Sequence, residues 1–305
     1  MTYTSGLVSV VGRPNTGKST LVNVLTGEKV AITSSRPQTT RHVIRGVVHR
    51  PQGQLVLVDT PGLHKPRTLL GQRLNDEVRA ALADVEVVVV TLPADEAIGP
   101  GDRRITAEAA KARKAPKVAA VTKTDLVKPD QLLAHLAAVA ALAEQNGFEW
   151  AEVVPLSART GDQVDLLVDL LLQLVPEGEA FFPEGQTTDE PEDVRVAELI
   201  REAALEGVRD ELPHSLAVVV DEIVPRAERP PDRPLTDVRA TMFVERPSQK
   251  AIIIGRQGVR LREVGQVARR DIEALLGVPV FLDLHVQVAK DWQRDPKQLR
   301  RLGFD

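Results

Sequence analysis

Cysteine is absent from the 305 residues, and aromatic residues make up only 3% of them. Without thiols the chain can form no disulfide, thiolate metal site or cysteine nucleophile, which fits a reducing cytoplasm. The scarcity of aromatic rings argues against sheets that stack nucleic-acid bases. The densest apolar run, Val87 to Leu92, is far too short for a membrane helix. We also expect no signal peptide, because no basic segment precedes the short apolar stretch near the N-terminus.

Hydrophobic residues make up 43% of the chain and charged residues 27%, which predicts a globular protein of one large or two ordinary domains. The net charge of −4 is unevenly spread. Residues 236–305 carry 13 Lys/Arg against 9 Asp/Glu, a net of +4, whereas residues 1–235 carry 26 against 34, a net of −8. A basic C-terminal end suggests a polyanionic partner, although ordinary surface variation would give similar numbers.

Residues 1–175 alternate between short Val-rich runs and helical stretches with Leu and Ala at spacings of three and four. The runs are hydrophobic nearly throughout, as strands buried on both faces of a parallel sheet are. They are Leu7–Val11, Leu55–Asp59, Glu86–Leu92, Lys117–Thr122 and Glu152–Pro155. This series predicts an α/β domain with an open, mostly parallel sheet and helices on both faces.

The composition changes at Pro176. Residues 176–193 hold three prolines, two glycines and seven acidic residues, which is typical of a linker. Beyond them the pattern reads α-β-β-α-α-β, ending in a strand from Val280 to Val288. We therefore predict a first domain over 1–175, an acidic linker over 176–193 and a smaller α+β domain over 194–305.

The segment Gly12–Ser19, GRPNTGKS, fits the pattern G-x-x-x-x-G-K-[ST] between a strand and a helix. A glycine turn at a helix N-terminus forms a nest of backbone N–H groups for phosphates. Lys18 can reach the β- and γ-phosphates, and the Ser19 hydroxyl can bind Mg²⁺. A chance glycine turn is the alternative. The candidate nucleotide ligands are Gly12, Asn15, Thr16, Gly17, Lys18, Ser19 and Thr20.

Two further segments are expected near the γ-phosphate. Asp59-Thr60-Pro61-Gly62 ends a strand, where Asp59 can hold Mg²⁺ through water and the Gly62 N–H can contact the γ-phosphate. In the loop from Pro37 to Arg41 we favour Thr40 over Thr39 as a ligand of Mg²⁺. The predicted magnesium ligands are Ser19, Thr40 and Asp59.

Thr122-Lys123-Thr124-Asp125 ends the next strand. Asp125 can accept two hydrogen bonds from guanine, a pair that adenine cannot offer, and sites built this way discriminate by roughly 10⁴–10⁵. The alkyl stem of Lys123 would cover the base. Ser157-Ala158 ends the following strand, where the Ala158 N–H can meet the guanine O6. A polar turn that caps a helix is the alternative for the first segment.

Gly255-Arg256-Gln257-Gly258 lies between two helical stretches and matches the GxxG loop of a KH domain, which holds a nucleic-acid backbone beside a groove for about four bases. Arg256, Arg260 and Arg262 would supply charge facing the phosphates. A solvated helix face is the alternative for these arginines.

Taken in order, GRPNTGKS, QTTR, DTPGL, TKTD and SA followed by GRQG resemble the Era family of ribosome-assembly GTPases, from Gly6 to Phe304. The resemblance implies a P-loop GTPase domain followed by a type II KH domain. It implies a switch protein that binds GTP and GDP with Mg²⁺, hydrolyses GTP, binds the 3′-end region of 16S rRNA and assists small-subunit assembly. One residue departs from the pattern, because Thr122 replaces the asparagine that braces the base loop.

The resemblance also bears on catalysis. Many regulatory GTPases carry Gln after the glycine to orient the attacking water, but this chain has Leu63. Some relatives instead use a potassium ion held by the phosphate-loop asparagine, which Asn15 matches, so K⁺ is a hypothesis here. His64 is better explained as a solvated loop residue. The predicted catalytic residues are Asn15, Lys18, Thr40 and Gly62.

We expect a cytoplasmic monomer that binds no DNA. Weak peripheral association with the inner membrane is a family trait for which no lipid anchor or basic amphipathic helix is visible. Three alternatives stay open: a GTPase whose C-terminal domain binds protein or another RNA, a tRNA-modification GTPase and a metabolic kinase. The intact GRQG, the single phosphate loop and the guanine-type residues disfavour them.

Overall fold

The structure is a computed structural model that describes residues 2–33, 40–41, 43–62, 66, 68–206, 215–227, 230 and 233–304. Contacts divide the chain into two compact units. One comprises Met1–Pro66 and Leu74–Asp189, and the other comprises Arg67–Arg73 and Glu190–Asp305. The boundaries 1–175, 176–193 and 194–305 stay predictions. Within the described residues no helix is long and apolar enough to cross a bilayer.

The first unit is built on a six-stranded sheet of order β2-β3-β1-β4-β5-β6. All neighbours are parallel except β2, which pairs antiparallel with β3. The strands are β1 (Thr4–Val11), β2 (Ile44–Arg50), β3 (Gly53–Asp59), β4 (Val87–Pro93), β5 (Lys117–Thr122) and β6 (Glu152–Pro155). The predicted mostly parallel sheet is therefore confirmed, and the edge strand β2 is an addition to the prediction.

Helices cover both faces of this sheet, as predicted. One apolar core lies between the sheet and helices α1 (Lys18–Thr26) and α5 (Val164–Leu174). A second core lies on the opposite face, where α2 (Leu69–Ala81), α3 (Pro100–Ala109) and α4 (Pro129–Gln145) contribute Val78, Ile105 and Val139. Because β1, β4 and β5 lie between two cores, their side chains are buried on both faces, which explains their continuous Val-rich sequence.

The acidic segment after α5 is bonded to the edge of the sheet. The Val47 N–H of β2 donates to the Thr187 carbonyl at 2.7 Å. The buried side-chain carbonyl of Gln54 accepts from the backbone N–H groups of Phe181 and Phe182 at 2.8 and 3.0 Å. An uncovered edge strand would expose unpaired backbone groups. This segment therefore satisfies the backbone of β2, a function that its linker-like composition did not predict.

The second unit contains a three-stranded sheet of order β7-β8-β9. Its elements are α6 (Glu192–Leu205), β7 (Ala217–Pro225), β8 (Thr236–Val244), α7 (Pro247–Ile254), α8 (Val259–Leu276), β9 (Val280–Val288) and α9 (Pro296–Arg301). The predicted order α-β-β-α-α-β is confirmed for α6 to β9. Buried residues of α6, α8 and the sheet form one core, including Ile200, Val264 and Ile272.

No pattern in the sequence predicts a helix or strand after β9. Trp292 is fully buried, its indole N–H donates to the Ser215 carbonyl at 3.0 Å, and its ring stacks on Phe304 at 5.6 Å between centroids. Asp295 caps α9 by accepting from the Lys297 N–H at 2.8 Å. This C-terminal segment therefore belongs to the core of the second unit.

Candidate nucleotide site and RNA-binding loop

The phosphate loop connects β1 to the N-terminus of α1. Gly17 has a φ of 92° and directly precedes the helix, a conformation that favours glycine. Asn15 also lies in the left-handed region, with a φ of 65°, where Asn is tolerated better than most residues. The loop therefore has the strand–turn–helix context that the sequence pattern predicts for a phosphate nest.

The three predicted magnesium ligands lie together. The Ser19 hydroxyl donates to Asp59 Oδ2 at 2.7 Å, and Thr40 Oγ1 lies 3.0 Å from Ser19 Oγ and 3.5 Å from Asp59 Oδ2. Asp59 is fully buried, and within the described residues its Oδ1 has no hydrogen-bond partner. Two hydroxyls and one carboxylate with an unpartnered oxygen fit the oxygen preference of Mg²⁺.

Lys18 and Asp59 are buried charges whose pKa values move towards each other. Burial raises the pKa of Asp59 to about 6, against the opposing effects of Lys18 and the Ser19 and Thr40 hydroxyls. Burial lowers the pKa of Lys18 to about 8, opposed by the charge of Asp59. The Lys18 ammonium donates to the Arg13 carbonyl at 3.0 Å. The site thus holds a lysine at the phosphate loop and a carboxylate at the expected metal position.

Gly62 lies against the phosphate loop. A Cβ at Gly62 would stand 2.8 Å from the Pro14 nitrogen, so any side chain would force the two segments apart. The contact of the Gly62 N–H with the γ-phosphate stays a prediction. Thr39, Leu63 and His64, the other residues expected near the γ-phosphate, lie outside the described residues.

The predicted base-recognition residues lie at the ends of β5 and β6. Asp125 Oδ1 accepts from the Ser157 hydroxyl at 2.7 Å, which orients the carboxylate. Ala158 follows Ser157 and packs against the domain core. Lys123 has a φ of 60°, and its ammonium lies 3.2 Å from Asp95 and 3.9 Å from Glu96. Lys123 is thus held by carboxylates that the sequence analysis did not identify.

Thr122, the departure from the family pattern, still braces the site. Its hydroxyl donates to the Thr16 carbonyl in the phosphate loop at 2.7 Å, and both residues are buried. A hydroxyl can supply the one donor that this carbonyl needs, so the substitution preserves the link between the base loop and the phosphate loop.

Sequence reasoning missed the ion pairs that hold Arg13. Its Nε donates to Asp102 Oδ1 at 3.0 Å, and its Nη2 contacts Glu96 Oε2 at 2.7 Å. Asp102 is buried and also accepts from the Gly99 N–H at the start of α3. Glu96 therefore lies between Arg13 of the phosphate loop and Lys123 of the base loop. An acidic pair directly after β4, Asp95-Glu96, is the signal that could have pointed to this contact.

In the second unit, the GxxG loop connects α7 to α8. Gly255 and Gly258 have φ values of 71° and 76°, and Gln257 has a φ of 53°. A Cβ at Gly255 would lie 2.6 Å from the Arg260 Cβ, whereas one at Gly258 would meet open space. Arg256, Gln257 and the nearby Arg262 are exposed, as an RNA-contacting loop requires.

Arg260 differs from its prediction as a phosphate contact. Its guanidinium donates to the Glu206 carbonyl and lies 3.5 Å from the Ala204 carbonyl, where α6 ends. A cation at a helix C-terminus satisfies carbonyls that lack helical partners. Arg260 is thus engaged by its own domain, and its role as an RNA contact is disfavoured.

Comparison with known proteins agrees with both halves of this description. The family model described as 50S ribosome-binding GTPase matches residues 7–123, and the KH domain model matches residues 211–293. GTPase Era of Streptomyces coelicolor is 66% identical over 302 residues, covering 99% of this chain and 95% of the relative. GTPase Era of Mycobacterium avium is 62% identical over 303 residues, covering 99% of both chains.

Solved structures agree as well. The structure of Era in complex with MgGDPNP and nucleotides 1506–1542 of 16S ribosomal RNA is 36% identical, with a TM-score of 0.93 over 99% of both chains. The structure of an Aquifex aeolicus Era variant bound to GDP and AlF₄⁻ is 35% identical, with a TM-score of 0.92 over 99% of both chains. This chain therefore belongs to the Era family of GTPases, with a P-loop GTPase domain followed by a KH domain.

Proposed function

We propose that this GTPase is a switch that binds the 3′-end region of 16S rRNA through its KH domain and assists small-subunit assembly in the cytoplasm. The main support is the likeness, over nearly the whole chain, to an Era structure that holds a nucleotide and 16S rRNA together. The exposed GxxG loop, with two left-handed glycines and Arg256 between them, has the geometry for clamping an RNA backbone.

In this proposal the phosphate loop binds the nucleotide through the backbone of residues 12–20, and Lys18 contacts the β- and γ-phosphates. Ser19, Thr40 and Asp59 hold Mg²⁺, which would bridge the phosphates and neutralise their charge. Thr40 precedes β2 and is buried against Asp59. Loss of the γ-phosphate would remove a partner of Thr40 and of the Gly62 N–H, which is how such switches report hydrolysis.

For guanine selection we propose Asp125, oriented by Ser157, with the Ala158 N–H facing the O6 of the base. Lys123 packs its stem over the base while Asp95 and Glu96 hold its ammonium. Adenine would present its N1 lone pair and C2–H to the Asp125 carboxylate, which would then lose both hydrogen bonds that guanine offers.

The test of the RNA proposal is binding of a fluorescent single-stranded RNA with the 16S 3′-end sequence, measured with a non-hydrolysable GTP analogue and with GDP. We expect tight binding with the GTP analogue and at least tenfold weaker binding to a scrambled RNA, because base contacts carry sequence specificity. Equal affinity for both RNAs would favour a different RNA or a protein partner for the KH domain.

We also propose that Asn15 supports catalysis by holding a potassium ion beside the phosphates, where a fixed positive charge would stabilise the transition state. Asn15→Gly is the suitable variant, because glycine tolerates the φ of 65° while removing the side chain. The hydrolysis rate of the natural chain should fall when sodium replaces potassium, and that of Asn15→Gly should not change. Identical rates for the natural chain in both salts would remove this role.

A further inference from the structure

Two threonine hydroxyls meet beneath the phosphate loop. Thr16 belongs to the loop and Thr91 to β4, and their Oγ1 atoms lie 2.6 Å apart. Both residues have no exposed surface. Thr16 Oγ1 also lies 3.1 Å from the Arg13 carbonyl, and Thr91 Oγ1 lies 3.2 Å from the Val11 carbonyl. The two hydroxyls thus connect β4 to the backbone at Val11 and Arg13, where the phosphate loop begins.

The two hydroxyl protons can form only two of these three hydrogen bonds at a time. Each hydroxyl has one proton and two acceptor lone pairs, so two protons serve the hydroxyl pair and two carbonyls. If Thr91 donates to Thr16, then Thr16 donates to Arg13; if Thr16 donates to Thr91, then Thr91 donates to Val11. Each hydroxyl keeps a partner in either arrangement. A short, fully buried bond of this kind is stronger than one at the surface.

The hydroxyl pair fills the space next to Gly12. A Cβ at Gly12 would lie 2.1 Å from Thr91 Oγ1 and 2.6 Å from Thr16 Oγ1. Any side chain at Gly12 would therefore expel the pair. The first glycine of the motif and the two threonines form one packed cluster.

This cluster is also hydrogen-bonded to the groups that are expected to contact phosphate. The Arg13 carbonyl, bonded by Thr16, also accepts from the Lys18 ammonium at 3.0 Å. The Thr16 carbonyl accepts from Thr122. A shift of the Thr16 peptide would therefore move the backbone N–H groups of the nest and the position from which Lys18 reaches the nucleotide.

We propose that Thr91 is a positioning residue for nucleotide binding: through its hydroxyl pair with Thr16, it holds the phosphate loop in the conformation that receives the β-phosphate. This inference rests on the nucleotide site proposed above. Thr91 lies on a strand that carries no nucleotide motif, and it acts only through Thr16.

The test measures the dissociation rate of fluorescent GDP from the full chain. Thr91→Ala removes the hydroxyl without crowding Thr16, and Thr91→Ser retains it. We expect dissociation about tenfold faster for Thr91→Ala and within about twofold of the natural rate for Thr91→Ser, since one buried hydrogen bond is lost only in the first. An unchanged rate for Thr91→Ala, or equal damage by serine, would overturn the proposal.

Two further measurements separate positioning from loss of fold. The affinity for GMP, which lacks the β-phosphate, should change much less than that for GDP; an equal loss would place the effect elsewhere. Thr16→Ala should reproduce the effect. The loss of GDP-binding free energy in the double variant should be smaller than the sum of the two single losses, because both changes remove the same hydrogen bond. Strict additivity would contradict the pairing.

The matched control is Thr241→Ala. Thr241 is a buried threonine of β8 whose hydroxyl donates to Asp221 at 2.8 Å, in the other unit. Its loss should leave GDP dissociation unchanged, and an equal acceleration would show that any buried hydroxyl matters. Should the natural chain fail to hold GDP, the nucleotide site itself would be refuted. If the natural chain binds GDP, and Thr91→Ala binds it equally tightly, only the role of Thr91 is refuted.

Discussion

The phosphate loop and the GxxG loop both connect to the start of a helix and both are expected to face phosphate groups, but they are built in opposite ways. Around the phosphate loop, Thr16, Lys18 and Asp59 are buried. Lys18 donates to the Arg13 carbonyl, and Asp59 accepts from the Ser19 hydroxyl. In the GxxG loop, Arg256 and Gln257 are exposed.

The difference follows from the two ligands. A nucleotide is small, so most of its binding energy must come from groups held in place before it arrives. RNA is long and offers many phosphates, so exposed arginines can contribute a little each, in a salt-dependent way. The comparison predicts large, specific losses from single changes at the nucleotide site and smaller, graded losses at the arginines around the GxxG loop.

The largest expected effect concerns Asp125→Asn. This change removes two charge-assisted hydrogen bonds to guanine, each worth about 1.5–3 kcal/mol, so GTP affinity should fall by about 10²–10⁴-fold. Xanthosine triphosphate should bind the variant better than GTP does, because its carbonyl at position 2 can accept from the new amide. Competition binding measures both.

Ser157→Ala is the matched control for this change, because it removes the hydroxyl that orients Asp125 but leaves the carboxylate. Its loss in GTP affinity should be about tenfold, that of one hydrogen bond. If Asp125→Asn lost less than Ser157→Ala, Asp125 would not be the residue that selects guanine.

The next effect tests the GxxG loop, where we expect Gly258→Asp to weaken RNA binding by about 100-fold. The added carboxylate would face the RNA phosphates and block the close approach of the loop backbone. GTP hydrolysis without RNA should be unchanged. Filter binding at fixed salt measures the loss.

Gly277→Asp provides an unusually close control. Gly277 ends α8, has a φ of 67° and, like Gly258, has open space where a Cβ would stand. Both variants carry the same strain, about 1–2 kcal/mol for a side chain in the left-handed region. Equal RNA affinities for the two variants would show that the loop is not the contact.

A pH prediction follows from the buried carboxylate of the nucleotide site. Since burial raises the pKa of Asp59 to about 6, the affinity for GDP with Mg²⁺ should fall as the pH drops through 6, by up to about tenfold per pH unit. The nucleotide-free chain should show the reverse trend, losing stability as the pH rises from about 4 through 6, because folding disfavours the ionised form.

Asp59→Asn should abolish the affinity trend, since its amide does not titrate. It should only weaken the stability trend, because burial also raises the pKa of Glu77, to about 7. Affinity titrations and thermal unfolding at matched pH values measure them. If Asp59→Asn kept the full pH dependence of nucleotide affinity between pH 4 and 6, the assignment of that titration to Asp59 would be wrong.

The two loops also show what the sequence could and could not predict. Both motifs are contiguous, so the residues that meet the ligand could be found by pattern and by their place after a strand or between helices. The sequence also placed Asp59 beside the phosphate loop, because the strand ends of a parallel sheet share an edge.

The supports of these motifs come from distant segments and carry no pattern. Thr91 lies within a buried strand and Asp102 in the first turn of α3, and only the fold brings them to Thr16 and Arg13. The edge strand β2 escaped prediction because its sequence mixes charged and apolar residues without strict alternation. The role of Arg260 could not be predicted, because a basic residue near a GxxG loop looks alike in sequence whether it faces RNA or caps a helix.

A pair of arginine variants resolves that ambiguity. They have the smallest expected effects and test the comparison of the two loops most finely. Arg256→Ala should weaken RNA binding about fivefold, reduce the salt dependence by about one unit of slope and leave stability unchanged, because Arg256 is exposed in the loop. Arg260→Ala should do the opposite. Its guanidinium satisfies carbonyls at the end of α6, so its loss should lower the free energy of unfolding by about 1 kcal/mol. RNA titrations at several salt concentrations and urea unfolding measure the two effects. If Arg260→Ala flattened the salt dependence as much as Arg256→Ala without lowering stability, the RNA surface would extend along α8 as the sequence suggested.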